Sequence, residues 1–339
     1  MKSFWQGLQR PFFAMAPMAD VTDVAFRALV AKRGKPDVFW TEFVSADGLY
    51  HTCEIQGDSS RSEVSPCLST NPLMRDLLFE EDQRPIVAQI FSSKPEMIAY
   101  ATKLVAELGF DGVDINMGCP DRAIEKQGCG AAMIKNPKLA VEIIKAAQEA
   151  SGLPVSVKTR IGYNKESLDE WLPALLSANP VAITLHLRTR KEMSLVPAQW
   201  ELMNRAVEIR NRINPNVLLI GNGDVENVEQ GRKLAEETGC DGIMIGRGMF
   251  GNPWVFAGID GLRKSIIGPG LTKSEHSLQE KLVALIELAY GFEKLTPKKN
   301  FAILKKHIKA FVTGFSGAAE LRTKLMTAES ASELEALLK

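Results

Sequence analysis

An eight-stranded parallel α/β barrel followed by an all-helical C-terminal domain is the architecture this 339-residue sequence predicts, on three observations. Eight short apolar runs alternate with helical stretches across about 250 residues, more βα units than an open doubly wound sheet needs. The last two runs end in glycine-bearing turns, Gly221-Asn222-Gly223-Asp224 and Gly246-Arg247-Gly248. Strand signal then stops, and only amphipathic helical spacing continues from Gln279 onward. Together these describe a (β/α)8 barrel of the TIM type with a small helical domain. No Gly-x-Gly-x-x-Gly fingerprint follows the first strand, which argues against a dinucleotide-binding sheet.

The elements follow in order. Phe13–Ala16 is the first strand, and Thr22 or Asp23 is placed to cap a helix through Lys32. Val38–Phe43 is the second strand. Residues 45–84 carry Gly, Ser and Pro punctuation and read as an excursion with one helix around Met74–Phe79. Strands at Ile86–Phe91, Val113–Asn116, Val155–Lys158, Val181–His186, Val217–Ile220 and Gly242–Ile245 then alternate with helices. Those helices cover Pro95–Leu108, Lys138–Ala150, Leu168–Ser177, Trp200–Arg212 and Val225–Glu237. The barrel is expected to occupy residues 1–266, with Gly268-Pro269-Gly270 and Thr272-Lys273-Ser274 in a linker over 267–279. Within 280–339, one helix carries Leu282, Leu285, Ile286 and Ala289, and a second carries Phe301, Leu304, Ile308, Phe311, Val312 and Phe315. Gly314 and Gly317 stop the second, and two short helices fit Ala318–Met326 and Ser332–Leu338.

Composition narrows the class. At 45% hydrophobic and 24% charged residues the chain is an ordinary globular protein, and 41 basic against 41 acidic residues show no global excess. No apolar run is long enough for a membrane span and the first residues lack a secretory hydrophobic region, so a cytoplasmic location is expected. Five scattered cysteines, without a Cys-x-x-Cys pair, read as reduced thiols with no metal site. One local charge bias exists. Seven lysines against three glutamates fall between Gln279 and Lys309, with Lys305 and Lys309 one turn apart and off the apolar stripe. Such a run is most simply a solvated face.

The strand ends carry the chemistry. In Asp114-Ile115-Asn116-Met117-Gly118-Cys119-Pro120, the alternation reads as a half-buried strand that breaks at Gly118, leaving Cys119 exposed on a turn. A lone cysteine is most often a small buried apolar residue, yet the carboxyl ends of barrel strands are where reactive groups sit. Gln89, Asn116, Lys158, Arg160, His186, Arg188 and Arg190 share that end. The two glycine turns after strands seven and eight form a phosphate site, where backbone N–H groups approach the anion and Arg247 pairs with it. Lys158 alternates with the apolar residues of its strand and points into the barrel mouth. There it serves either as a Schiff-base lysine or as a cation holding negative charge on a bound ring. His186 is placed to donate a hydrogen bond to the same ligand. The set suits flavin mononucleotide (FMN), and equally leaves a phosphosugar aldolase open.

These residues, in their order and spacing, resemble the tRNA-dihydrouridine synthases. The matching pieces are Ala16-Pro17-Met18-Ala19-Asp20-Val21-Thr22-Asp23, Ala88-Gln89-Ile90-Phe91, Asn116-Met117-Gly118-Cys119-Pro120 and Lys158-Thr159-Arg160. They continue through His186, Arg188-Thr189-Arg190, the two glycine turns, His307-Ile308-Lys309 and Gly314-Phe315-Ser316-Gly317-Ala318. The resemblance implies reduction of the 5,6 double bond of tRNA uridines by FMN, itself reduced by NADPH or NADH. Hydride goes to C6 and Cys119 protonates C5. It further implies that Pro17, Met18 and Ala19 line the flavin ring, and that Gln89, Lys158 and His186 meet it. Asn222, Gly223, Asp224, Gly246 and Arg247 would hold its phosphate. Asn116 and Arg160 match positions that hold the flavin or the target uracil, and with Arg188 and Arg190 are expected towards the substrate. Lys305, Lys306 and Lys309 of the helical domain would grip the tRNA backbone, with the enzyme acting as a monomer.

Two departures from that pattern stand out. Leu187 occupies a position where glycine is common, and Lys191–Val196 replaces a stretch that usually bears a tyrosine and small residues. Cys129, in Gly128-Cys129-Gly130, is a second thiol on a loop expected to be mobile and a rival proton donor. The alternatives are a flavin barrel oxidoreductase acting on a free pyrimidine, such as a dihydroorotate or dihydropyrimidine dehydrogenase, and a Lys158 Schiff-base aldolase. Colour separates the flavoproteins from the aldolase.

Overall fold

The computed structural model describes residues 3–55, 71–259 and 276–339. Eight parallel strands form one sheet: β1 Phe12–Met15, β2 Phe39–Ser45, β3 Ile86–Phe91, β4 Gly112–Met117, β5 Val155–Arg160, β6 Ala182–His186, β7 Leu218–Asn222 and β8 Gly242–Ile245. Neighbours pair in sequence from β2 to β8, and β8 pairs with β1. The two remaining edges meet at a parallel bridge between Ala14 and Val38, where Met15 N–H donates to the Val38 carbonyl at 3.0 Å, so the barrel closes. The molecule is a TIM-type barrel followed by helices.

Thirteen α-helices lie among the described residues, nine of them within the barrel: α1 Val24–Gly34, α2 Ala46–Ile55, α3 Pro72–Arg75, α4 Pro95–Glu107, α5 Arg122–Glu125, α6 Pro137–Ser151, α7 Leu168–Ser177, α8 Glu201–Ile213 and α9 Val228–Thr238. Local chemistry sets their ends. Asp23 caps α1 by accepting from Phe26 N–H at 3.0 Å. Asn136 caps α6 just before Pro137, and α6 stops at Gly152, whose φ of 70° is the left-handed value that favours glycine.

Two sequence expectations need correction here. Strand β4 is buried along its whole length, not half-buried, and Asp114 is 0% exposed. In a closed barrel the second face of a strand meets the other strands across the interior rather than water, so polar alternation marks interior chemistry. The excursion also holds more regular structure than expected. Helix α2 spans Ala46–Ile55, with Ser45 Oγ accepting from Gly48 N–H at 3.1 Å. The helix expected around Met74–Phe79 is instead the single turn α3. Residues 56–70, including Cys67, lie outside the described part, as do the linker motifs at 268–270 and 272–274.

The C-terminal helices are α10 Leu278–Glu293, α11 Lys305–Phe311, α12 Ala318–Leu325 and α13 Ala331–Ala336. A capping box between Ser277 and Glu280 starts α10. The long helix expected over 301–315 is split: a 3-10 turn, Phe301–Leu304, leads into α11, which ends before Gly314 at φ 82°. Leu285, Leu288, Phe292, Leu304, Ile308 and Phe311 belong to the same buried apolar cluster as Phe26, Leu29 and the barrel strands. Barrel and helices therefore share one core.

Candidate active site

A cavity of about 340 Å³ opens at the carboxyl ends of the strands, within the range of small-ligand and cofactor sites. Strand pairing builds it. Register sets Gln89 beside Asp114, Asn116 beside Lys158, and Arg160, His186 and Asn222 in a row across β5, β6 and β7. Residues distant in sequence are thus brought to one rim.

On the β3–β4 side, a chain of hydrogen bonds runs from the interior to the thiol. Asp114 accepts from Gln89 Nε2 at 2.6 Å and from Ser156 Oγ at 2.6 Å. Burial lifts the Asp114 carboxyl to about 6, against the pull of those two donors. Because Nε2 of Gln89 faces a carboxylate, its Oε1 is left to accept from Asn116 Nδ2 at 3.0 Å. Asn116 Oδ1 in turn accepts from the N–H groups of Gly118 at 3.1 Å and Cys119 at 2.9 Å. That pair of bonds shapes the turn. On its far side the Cys119 carbonyl accepts from Ala131 N–H at 2.9 Å. A Cβ on Gly130 would come within 2.6 Å of that carbonyl, and Gly130 has φ 59°, so only glycine fits. Cys119 is half-buried rather than exposed. Burial raises its thiol pKa above the ordinary value, with the Asp121 N–H opposing. It is protonated at neutral pH.

Opposite stand the cations. Lys158 Nζ donates to Asn222 Oδ1 at 3.0 Å, and Asn222 Nδ2 donates to the Met244 carbonyl at 2.8 Å. Burial, with Arg160 nearby, lowers the Lys158 ammonium to about 8. Arg160 is spent on backbone, donating to the carbonyls of Gly118 at 2.8 Å and of Thr189 and Met193 at 3.2 Å. Burial and the surrounding cations hold His186 well below its ordinary pKa, so its ring is neutral. Arg188 Nη1 lies 3.2 Å from His186 Nε2. Arginine can only donate, so Nε2 accepts and Nδ1 carries the ring proton.

At the ends of β7 and β8, Gly223 has φ 134°, and a Cβ there would meet Ala198 Cβ at 2.8 Å. Gly246 faces Ala16 and Met18 with nothing nearer than 3.5 Å to an added Cβ. Asp224 pairs with both Arg188 and Arg247, and accepts from Ala198 N–H at 2.8 Å. Burial raises its carboxyl, but these donors outweigh it and leave the pKa low. Arg247, 61% exposed, stands at the rim with its guanidinium oriented by that carboxylate.

A family model described as Dihydrouridine synthase (Dus) matches residues 14–339. The chain belongs to the dihydrouridine synthase family. "Probable tRNA-dihydrouridine synthase 2" of Bacillus subtilis (strain 168) is 42% identical over 345 residues, covering 99% of this chain and 96% of that protein. "Probable tRNA-dihydrouridine synthase" of Staphylococcus aureus (strain MRSA252) is 40% identical over 341 residues, covering 99% and 95%. Among solved structures, 2-naphthoyl-CoA reductase in complex with 2-naphthoyl-CoA matches with a TM-score of 0.54 at 9% identity. That match covers 90% of this chain and 57% of the other, and shows likeness of fold.

In this dihydrouridine synthase family member the cavity gathers Pro17, Met18, Gln89, Asn116, Cys119, Lys158, Arg160, His186, Asn222, Gly223, Asp224, Gly246 and Arg247. Other sequence-derived candidates lie elsewhere. Ala19 is exposed and outside the lining. Arg188 is buried behind His186 in its pair with Asp224, and Arg190 is held by Glu125 beside the Tyr163 ring. Arg188 thus lies off the cavity lining, and Arg190 is partly exposed with its guanidinium on Glu125. Cys129 is 2% exposed and off the cavity, packed with Phe91 and Ile124, with its N–H donating to the Ile124 carbonyl at 3.3 Å. Lys306 and Lys309 are exposed and Lys305 is half-buried, all away from the cavity. Lys299, counted in the basic run, is buried against Glu42 and Asp76 and is no part of a solvated face. Sequence reasoning missed Phe43 of β2, which lines the cavity together with Met193 and Ser194 of the divergent stretch Lys191–Val196. For Phe43 the signal was its position near the end of a strand. Leu187, in place of the common glycine, is fully buried. Among the described residues no acidic, histidine and cysteine cluster could hold a metal, and no helix is long and apolar enough to cross a membrane.

Proposed function

We propose that this protein reduces the C5–C6 double bond of uridines in tRNA to 5,6-dihydrouridine, with FMN in the barrel cavity, NADPH or NADH as reductant, and a monomer as the working unit. The observation that carries the reading is that Cys119, a half-buried thiol on a hydrogen-bonded turn, shares one cavity with the half-buried Lys158 and with the glycine turns after β7 and β8. The residues fit a flavin. Gly223 and Gly246 leave backbone room for a phosphate, Arg247 supplies charge at the rim, and Asp224 fixes that arginine. Lys158 provides a cation inside the mouth, where charge on a reduced ring needs a partner.

When bound, the flavin supplies the hydride that goes to C6 of the uracil. Cys119 gives its proton to C5, and burial suits it to that task by keeping the thiol protonated. Asn116 and the Ala131 N–H hold the turn that presents it. His186 contributes a neutral ring with Nδ1 as donor. The target base has to leave its stack to enter such a mouth. Residues 1–266 carry the chemistry in this reading. Residues 280–339, joined through 267–279, hold the RNA with Lys305, Lys306 and Lys309, and the flanking phosphates lie over that face. Arg188 and Arg190 act indirectly, by fixing His186, Asp224 and the cavity-lining loops.

The test is direct. Purified protein should be yellow and should form dihydrouridine from unmodified tRNA and NADPH. Cys119→Ala should keep flavin and nicotinamide oxidation while product formation falls by about 100-fold or more. Cys129→Ala should cost far less. A colourless wild-type protein, or equal losses from the two variants, would sink the reading.

A further inference from the structure

The C-terminal helices contribute nothing to the lining of the cavity, which ends at Arg247. Three side chains of the same C-terminal segment nevertheless act on one turn of the barrel, residues 18–22: Lys306 and His307 of α11 directly, and Lys299, from the stretch before the 3-10 turn, through Glu42. Lys299 reaches into the barrel rim until its side chain is 2% exposed, with Nζ 2.5 Å from Glu42 Oε2 and 3.2 Å from Asp76 Oδ1. The other oxygen of Glu42 accepts from the Asp20 N–H. Lys306 Nζ donates to the Asp20 carboxylate at 3.0 Å. His307, enclosed by the rings of Phe26 and Phe250, hydrogen-bonds the Val21 backbone.

The turn has reason to need such support. Asp20 sits at φ 57°, a left-handed conformation that an aspartate tolerates but does not favour. Inside the turn the Met18 carbonyl accepts from the N–H groups of Val21 and Thr22, both at 3.1 Å, and Thr22 Oγ1 accepts from Met18 N–H at 3.0 Å, but none of these bonds holds the Asp20 N–H. Met18 at the head of the turn and Pro17 just before it form a wall of the cavity. A buried carboxylate such as Glu42 keeps a defined orientation only while its charge is paired. Take away Lys299, and the oxygen that holds Asp20 is free to turn.

We infer that Lys299 is a positioning residue for the cofactor: acting through Glu42 and the Asp20 N–H, it holds the Pro17–Met18 wall of the cavity in place. The inference rests on the flavin reading given above. It gives the helical segment a second task, independent of RNA, as a brace for the site in which the chemistry occurs. It also explains why one lysine of the basic run is buried while its neighbours face solvent.

The experiment is titration of deflavinated full-length protein with FMN, read by flavin fluorescence and by the visible absorption band. Lys299→Met should weaken FMN binding at least tenfold and shift the band of the bound flavin. Glu42→Gln should do the same, and the double variant should be no worse than the poorer single one, because both act on one link. Glu287→Gln is the control. It breaks a different contact between helices and barrel, with Lys32 and Arg33, and should leave both the FMN Kd and the spectrum at wild-type values. A purely structural role for Lys299 would lower Tm in the same way as that control and leave the bound-flavin spectrum unmoved. If Lys299→Met does not fold, Glu42→Gln carries the same prediction, since it keeps the size of the side chain and leaves no unpaired charge at position 42. Wild type that takes up no FMN overturns the flavin reading and this inference together. Wild type that binds FMN, beside a folded Lys299→Met or Glu42→Gln that binds it equally well with an unshifted spectrum, overturns this inference alone.

Discussion

His307 shows how a single side chain can be read only with its surroundings in view. In sequence it sits inside a lysine-rich run, where a partly charged surface ring would be unremarkable. In the fold it is 1% exposed, its Nδ1 has no partner, and burial with Lys306 nearby depresses its pKa from 6.5 to about 3. The folded state therefore holds the ring neutral where the unfolded chain would take up a proton. Its contribution is fully present above pH 6.5 and is lost as pH falls from there towards 3, by up to about 1.4 kcal/mol per pH unit. Urea midpoints at pH 7 and pH 5 should differ less for His307→Phe than for wild type. An unchanged difference would mean that other groups carry the acid sensitivity. Arg188 teaches the same lesson: local sequence announced a cation at a strand end but not the carboxylate 36 residues on that neutralises it. Ion pairs across strands leave no local pattern.

Among elements, the strand ends were legible because barrel chemistry collects there, and because Gly, Asn and Asp punctuate a chain visibly. Helix α2 was not. Ser45 and Gly48 read as loop residues, although together they begin that helix. The apparent half-exposure of β4 was a true periodicity assigned to the wrong surroundings, since alternation alone does not say whether the polar face meets water or a barrel interior. The turns after β7 and β8 act as one device, in which Asp224 of the first orients Arg247 of the second. Arg247→Glu should bring two carboxylates together and expel an anionic ligand. The purified variant should lose most of its flavin absorbance while its Tm stays within a few degrees of wild type, as suits an exposed substitution. A folded variant as yellow as wild type would move the phosphate to another part of the cavity.

At the scale of the whole molecule, the basic face of α11 is the feature that stability explains least. Lys305 and Lys306 occupy the first turn of the helix, where its dipole disfavours cations. Reversing Lys305 and Lys309 to Glu, with Lys306 left on Asp20, should spare the FMN content. It should weaken tRNA binding and flatten its salt dependence, by about 0.9 in log–log slope for each duplex phosphate that is no longer neutralised. Unaltered affinity and slope would return these lysines to the solvated face that composition alone suggests.

The shared core carries a consequence of another kind. Phe26 of α1 packs on the His307 ring of α11, and Glu287 of α10 bridges to Lys32 and Arg33 of α1. Pulling residues 276–339 away from residues 3–259 would bare apolar surface on both. A lineage carrying this architecture is poorly placed to exchange its C-terminal end by recombination at the junction. Changes on either side of that joint have to keep the contacts across it, so the two parts are bound to vary together.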